Sequence, residues 1–163
     1  METMMHTIRR KTLNPPDLPD TLVEGHSQAV LVQGGARVLL SSQVGIDAGG
    51  QLAGHGLSEQ TESALDNVER LLSGLGGDLL QVVMLRIYLV EFARYDQHVV
   101  IEALKNRFPI APPAATWLIV YGLAEPEWLI AIEAEAVLPE FASESQAIAT
   151  QEVLAAADDA VRS

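Results

Sequence analysis

Cysteine is absent from this chain of 163 residues. That excludes a disulfide framework and thiolate chemistry, and makes the reducing cytoplasm the expected setting. Basic residues are scarce: ten Lys and Arg stand against 22 Asp and Glu, a net charge of −12. Affinity for a polyanion rests on neutralising phosphates with Lys and Arg, so this balance argues against nucleic acid as a partner. Long apolar runs are also missing. None approaches the roughly 20 residues that a membrane span needs, so no membrane is expected as a partner. Met1–Lys11 lacks the apolar stretch of a signal peptide, and its three basic residues follow polar sequence.

Several chemistries are excluded by spacing. His6, His55 and His98 have no mutual ligand spacing, so no metal is expected. Gly45–Gly56 holds five glycines, but no lysine and no G-x-x-x-x-G-K-[ST] pattern; it reads as a glycine-rich turn and not a phosphate cradle. No Ser-His-Asp triad can be assembled. No cofactor is expected.

Apolar residues, by contrast, make up 48% of the chain, enough for one buried core. Pro15, Pro16 and Pro19 forbid a helix and give the first 20 residues an extended entry. Ala29–Val32 and Arg37–Val44 read as strands, and Gly34-Gly35 between them signals a hairpin. A helix is predicted from Ser58, which can cap it. Its apolar stripe is Ala64, Leu65, Val68, Leu71, Leu72 and Leu75, and Gly74–Gly77 ends it. Leu79–Val90 reads as a strand. Asp96 opens a second helix, bounded by Pro109. Thr116–Gly122 and Trp128–Leu138 are strands.

The order β-β-α-β-α-β-β predicts an α+β two-layer sandwich, a mixed β-sheet with two helices on one face. It forms a single domain over 1–139, with 1–20 as its arm. Ser143–Arg162 is alanine-rich and acidic, and 140–163 is read as a helical or partly disordered extension. In the last strand, Ile130, Ile132, Ala134 and Ala136 face one way; Ala131, Glu133, Glu135 and Val137 face the other. Trp117, Ile119 and Tyr121 share a face of the preceding strand. That face is expected to lie away from the helices, where it forms an apolar patch that self-association buries, with Glu133 in the seams.

Several short matches, in order, carry a resemblance. Asn14-Pro15 comes first. Gly25-His26-Ser27-Gln28-Ala29-Val30 resembles a G-P-Y-S-Q-A-V motif, and Leu40-Ser41-Ser42-Gln43 resembles S-G-Q. Gln60 with Ala64–Val68, Tyr88-Leu89 and Ile132-Glu133-Ala134 complete the set. Together they resemble the Rid family, also called YjgF or L-PSP.

The resemblance implies a chorismate-mutase-like homotrimer with clefts between subunits, and a hydrolase or deaminase that acts on enamine and imine substrates. It implies Glu133 as the group that orients water and Ser41 as a cleft residue, with His26 at the position of the family's tyrosine. Ala115 stands where the family's P-A-R-S motif places an arginine that pairs with the substrate carboxylate. Losing a paired charge of that kind costs about 3–5 kcal/mol, which argues against 2-imino acids as substrates. Trp117 could stack on a flat, uncharged or cationic ligand. His26 is suited to proton transfer near neutral pH, and Glu135 faces the same side as Glu133. The alternatives are a non-catalytic ligand-binding trimer and an endoribonuclease or translation inhibitor; the charge opposes the latter.

Overall fold

The computed structural model describes residues 8–140; the helix expected over Ser143–Arg162 lies outside them. In chain order the elements are β1 (Arg9–Leu13), β2 (Ala29–Gln33), β3 (Ala36–Val44), α1 (Leu57–Gly74), β4 (Val82–Val90), α2 (Gln97–Arg107), β5 (Ala114–Val120) and β6 (Ile130–Leu138). Four of the strands form a mixed sheet in the order β3-β6-β4-β5. Only β4 and β5 pair in parallel, because α2 carries the chain back between them as a crossover. The two helices pack on one face. The architecture is the expected α+β sandwich.

Period-two burial builds the sheet's inner face. Leu85, Ile87 and Leu89 of β4 and Ile130, Ile132, Ala134 and Ala136 of β6 are almost wholly buried. Against them α1 sets Ala64, Leu65, Val68 and Leu72, and α2 sets Val100, Ala103 and Leu104. Each large aliphatic side chain so buried contributes about 1.5–3 kcal/mol. Leu71 stands on the flank of the α1 stripe and stays 44% exposed. The C-terminus of α2 is tied to α1 by Arg107, whose Nη2 donates to Glu62 at 2.6 Å and to Asp66 at 2.7 Å. Burial tends to lower the pKa of this guanidinium, but its hydrogen bonds to Asp66 and Glu62 and their charges outweigh it and the pKa is raised.

Three local expectations are corrected. Ser58 does not cap α1: the N-cap is Gly56, which makes no side-chain cap bond, and Ser58 is the second residue of the helix. Leu79–Gln81 is a 3-10 turn closed by a capping box from Asp78, and the strand begins only at Val82. Most consequentially, β2 and β3 do not form a hairpin. β2 pairs with β1 in a separate two-stranded ribbon. Gly34 and Gly35 both take positive φ, but they hand the chain from the ribbon to the main sheet. Gly35 passes so close to β6 that a Cβ there would lie 2.6 Å from the Leu138 carbonyl oxygen. The ribbon is held down by Arg10, whose guanidinium donates to the carbonyls of Leu80 and Ala111.

Candidate functional site

Residues that alternate with the buried ones define the face of the sheet turned away from the helices. On β6 these are Ala131, Glu133, Glu135 and Val137; on β4 they are Met84, Arg86 and Tyr88. The ladder sets Tyr88 beside Ala131, Arg86 beside Glu133 and Met84 beside Glu135. Tyr88 and Glu133 are therefore diagonal neighbours across the ladder, and the Tyr88 phenol donates a hydrogen bond to Glu133 Oε2. The other carboxylate is occupied differently. Glu135 Oε1 accepts from Arg86 Nη1 and Nη2 at 3.2 and 3.3 Å and from Arg37 Nη2 at 3.1 Å. Arg37 and Arg86 side chains are 66% and 41% exposed, so these ion pairs are screened. They orient groups more than they stabilise the fold.

The hydrogen bond to Glu133 raises the pKa of Tyr88 above its ordinary value. Desolvation and the Glu133 charge add to the rise, and the Arg86 charge partly offsets it. Tyr88 thus remains a neutral donor through the physiological range. A raised folded-state pKa favours the protonated native form, so this contribution is complete below pH 10 and fades as pH climbs through the shifted value. Phenolate absorbance of the protein minus that of Tyr88→Phe is expected to show a midpoint above 10.0; a midpoint at or below that value contradicts the Tyr88–Glu133 contact.

A β-bulge completes this corner. The register between β3 and β6 slips between Leu40, opposite Ala134, and Gln43, opposite Ile132. Ser41 and Ser42 therefore share the place facing Glu133, two residues against one. Beyond the bulge, where β3 leaves the sheet, lies a cavity of about 500 Å³. Val44, Ile46, Leu123, Ala124, Trp128 and Ala131 give it apolar walls; Ser42, Gln43, Asn67 and Tyr88 give it polar ones. Tyr88 belongs both to this cavity and to the Glu133 pair.

Two amides on α1 position the walls. Asn67 Nδ2 donates to the carbonyls of Val44 and Ile46 at 3.0 and 2.9 Å. Gln60 is wholly buried. Its Nε2 donates to Gly54 O at 3.1 Å and to Glu127 O at 3.0 Å, and its Oε1 accepts from Leu129 N at 2.8 Å. The last two contacts bracket Trp128. The strand end must lie close to α1 for this to work: a Cβ on Gly45 would meet Gln60 Cα at 2.6 Å.

Of the residues singled out from sequence, Glu133, Glu135 and Ser41 are brought together. His26 is not among them within one protomer. Its neighbour Ser27 bridges to Ala114 at the outer edge of β5, three strand spacings from β6, about 14 Å at the backbone. The His26 Nδ1 atom is buried without a hydrogen-bond partner. Ala115 and Trp117 are in register with Leu85 and Ile87 and pack against the core. They face the helix layer, opposite to Glu133. The outward residues of β5 are therefore Thr116 and Leu118, and the face away from the helices does not carry the Trp117 patch.

Tyr88, Arg86 and Trp128 were missed. For the first two the signal was there: two polar residues at i and i+2 in an apolar strand share a face. Trp128 sits in the turn before β6, where no periodicity marks it.

Among the described residues no helix is long and apolar enough to cross a membrane. A family model described as Endoribonuclease L-PSP matches residues 20–138. A bovine 2-iminobutanoate/2-iminopropanoate deaminase is 32% identical over 111 residues, 68% of this chain and 77% of that protein. Among solved structures, a protein of unknown function of the conserved Rid family from Yersinia pestis is 32% identical with a TM-score of 0.75. The match covers 79% of this chain and 98% of that one. A member of the YjgF/YER057c/UK114 family from Mycobacterium tuberculosis is 27% identical with a TM-score of 0.55, covering 80% of this chain and all of the other.

Proposed function

The chain belongs to the endoribonuclease L-PSP family, which also carries the names Rid and YjgF, and from that premise we propose that it is a hydrolase of C=N or enamine bonds in a small molecule. The observation that carries this reading is the Tyr88–Glu133 hydrogen bond at the edge of the cavity. Tyr88 fixes Oε2, and among the described residues Oε1 takes no side-chain partner. Glu133 is the general base that water addition to an imine requires.

In the reaction, Glu133 Oε1 takes a proton from water as the water oxygen bonds to the imine carbon. The C=N π pair moves to nitrogen, which gains a proton from solvent. The carboxyl then returns its proton to the amino nitrogen. The C–N bond breaks, the hydroxyl oxygen closes the C=O bond and returns its proton to solvent, and ammonia leaves.

Ala115 at the position that matches the family's arginine weighs against 2-imino acids. The reading includes a homotrimer with the site in a subunit cleft. His26 then acts as proton relay toward the Glu133 of a neighbour, a role that three strand spacings deny it within one protomer. Exposed Leu39 (66%) and Leu118 (49%) on the open sheet face support such an interface. Sedimentation equilibrium at micromolar concentration is expected to give three times the protomer mass; a lone protomer removes the cleft.

Ammonia release from freshly generated imines tests the reaction, with release above the uncatalysed rate as the expected result. No release from any imine that the protein binds leaves a ligand-binding trimer, which the occupied Glu135 and the absent arginine also fit. For an endoribonuclease the open face is poorly equipped: its two arginines, Arg37 and Arg86, are both committed to Glu135.

A further inference from the structure

We infer that the cavity beside Tyr88 selects imines that carry a bulky, uncharged, apolar substituent, an aromatic ring above all. The inference rests on the hydrolase reading above and names its substrate class. Three observations carry it. First, no charged side chain lines the cavity; of the nearby charges, Arg86, Glu133 and Glu135 stand in the adjoining ranks of the sheet and are engaged there, and Arg70 lies behind Asn67 and donates to its Oδ1. Second, most of its polar wall is already committed. Both Asn67 donor bonds go to the carbonyls of Val44 and Ile46, its Oδ1 accepts from Arg70, and Gln43 Nε2 donates to Ser41 O. A charged ligand group would find no charged side chain in the lining and would lose part of its hydration.

Third, size and continuity fit. About 500 Å³ lies within the range of small-molecule sites, far beyond what a methyl group fills. Trp128, Leu123 and Ile46 offer an aromatic and aliphatic lining for a ring. Ala131 is in register with Tyr88 and leaves the floor open because its side chain is small. A ligand with its ring in the cavity places the C=N carbon toward Tyr88, hence toward Glu133.

Oximes keep the C=N bond and resist hydrolysis, so they separate binding from turnover. Titration calorimetry with acetone oxime, acetophenone oxime and 4-carboxyacetophenone oxime is the test. Burying the phenyl ring is expected to make acetophenone oxime bind about 10- to 100-fold tighter than acetone oxime. The carboxylated compound is expected to lose that gain. Ala131→Leu, which fills the floor, is expected to abolish the preference, with circular dichroism as the check on folding. Equal affinity for the three oximes in the unaltered protein overturns the inference. So does tighter binding of the carboxylate. The outcome is separable from the reaction itself: a ring preference without ammonia release supports the cavity assignment and removes the hydrolase. Glu133-dependent release without a ring preference does the reverse.

Discussion

Gln60→Leu lowers the stability of the fold by about 2–4 kcal/mol and the melting temperature by about 10 °C. Leucine keeps the bulk but supplies neither donor nor acceptor, so three backbone groups lose their partner: Gly54 O, Glu127 O and Leu129 N. A buried group left unpaired costs about 1–3 kcal/mol. The sum stays below three such penalties because water can reach the loops that carry Gly54 and Glu127. Ser58→Ala is the control. It removes a hydroxyl that caps nothing, and a change of less than about 0.5 kcal/mol is expected. Chemical denaturation of both variants checks the pair. A Gln60→Leu protein as stable as the parent contradicts the role given to that amide. Any Gln60→Leu protein that stays folded should also lose affinity for acetophenone oxime, since Trp128 sits between two of the freed groups.

The sequence was readable where burial differs sharply between faces. In β6 the aliphatic and acidic positions alternate, so Ile132 inside and Glu133 outside could be assigned from period two alone. The α1 stripe was readable for the same reason. It failed at β5, where Ala-Ala-Thr-Trp-Leu-Ile-Val is apolar on both sides and alternation carries no sign. Only the parallel register to β4, with Trp117 beside the buried Ile87, settles the direction. The β2–β3 hairpin failed because two glycines with positive φ serve a tight turn and a passage between sheets equally well. The choice depended on β1, a partner remote in sequence that competes for β2. The site was half visible. Glu133, Glu135 and Ser41 stand in one corner, while the cavity comes from a bulge, a loop and the small side chain of Ala131. Neither the bulge nor the loop has a period to be read.

Ala131 marks what distinguishes this corner chemically. It brings no charge, and Arg37 and Arg86 are turned to Glu135. The result is a site with one carboxylate held by a phenol and an uncharged chamber next to it. A neutral Tyr88 matters in that setting. It donates to Glu133, and its raised pKa keeps it protonated through the physiological range.

Glu133→Gln is therefore the substitution with the largest expected effect on turnover. Glutamine preserves the shape and can still meet the Tyr88 hydroxyl, but it cannot take a proton from water. Removing a positioned general base costs about 10²- to 10⁴-fold. The affinity for acetophenone oxime should change little, because the ring pocket is untouched. The decisive measurement is kcat/KM for ammonia release from the imine of acetophenone, compared between the parent protein and Glu133→Gln. A fall of at least about 100-fold with oxime binding retained is the predicted result. Equal kcat/KM in the two proteins contradicts the assignment of Glu133 as the base, and with it the proposed hydrolase.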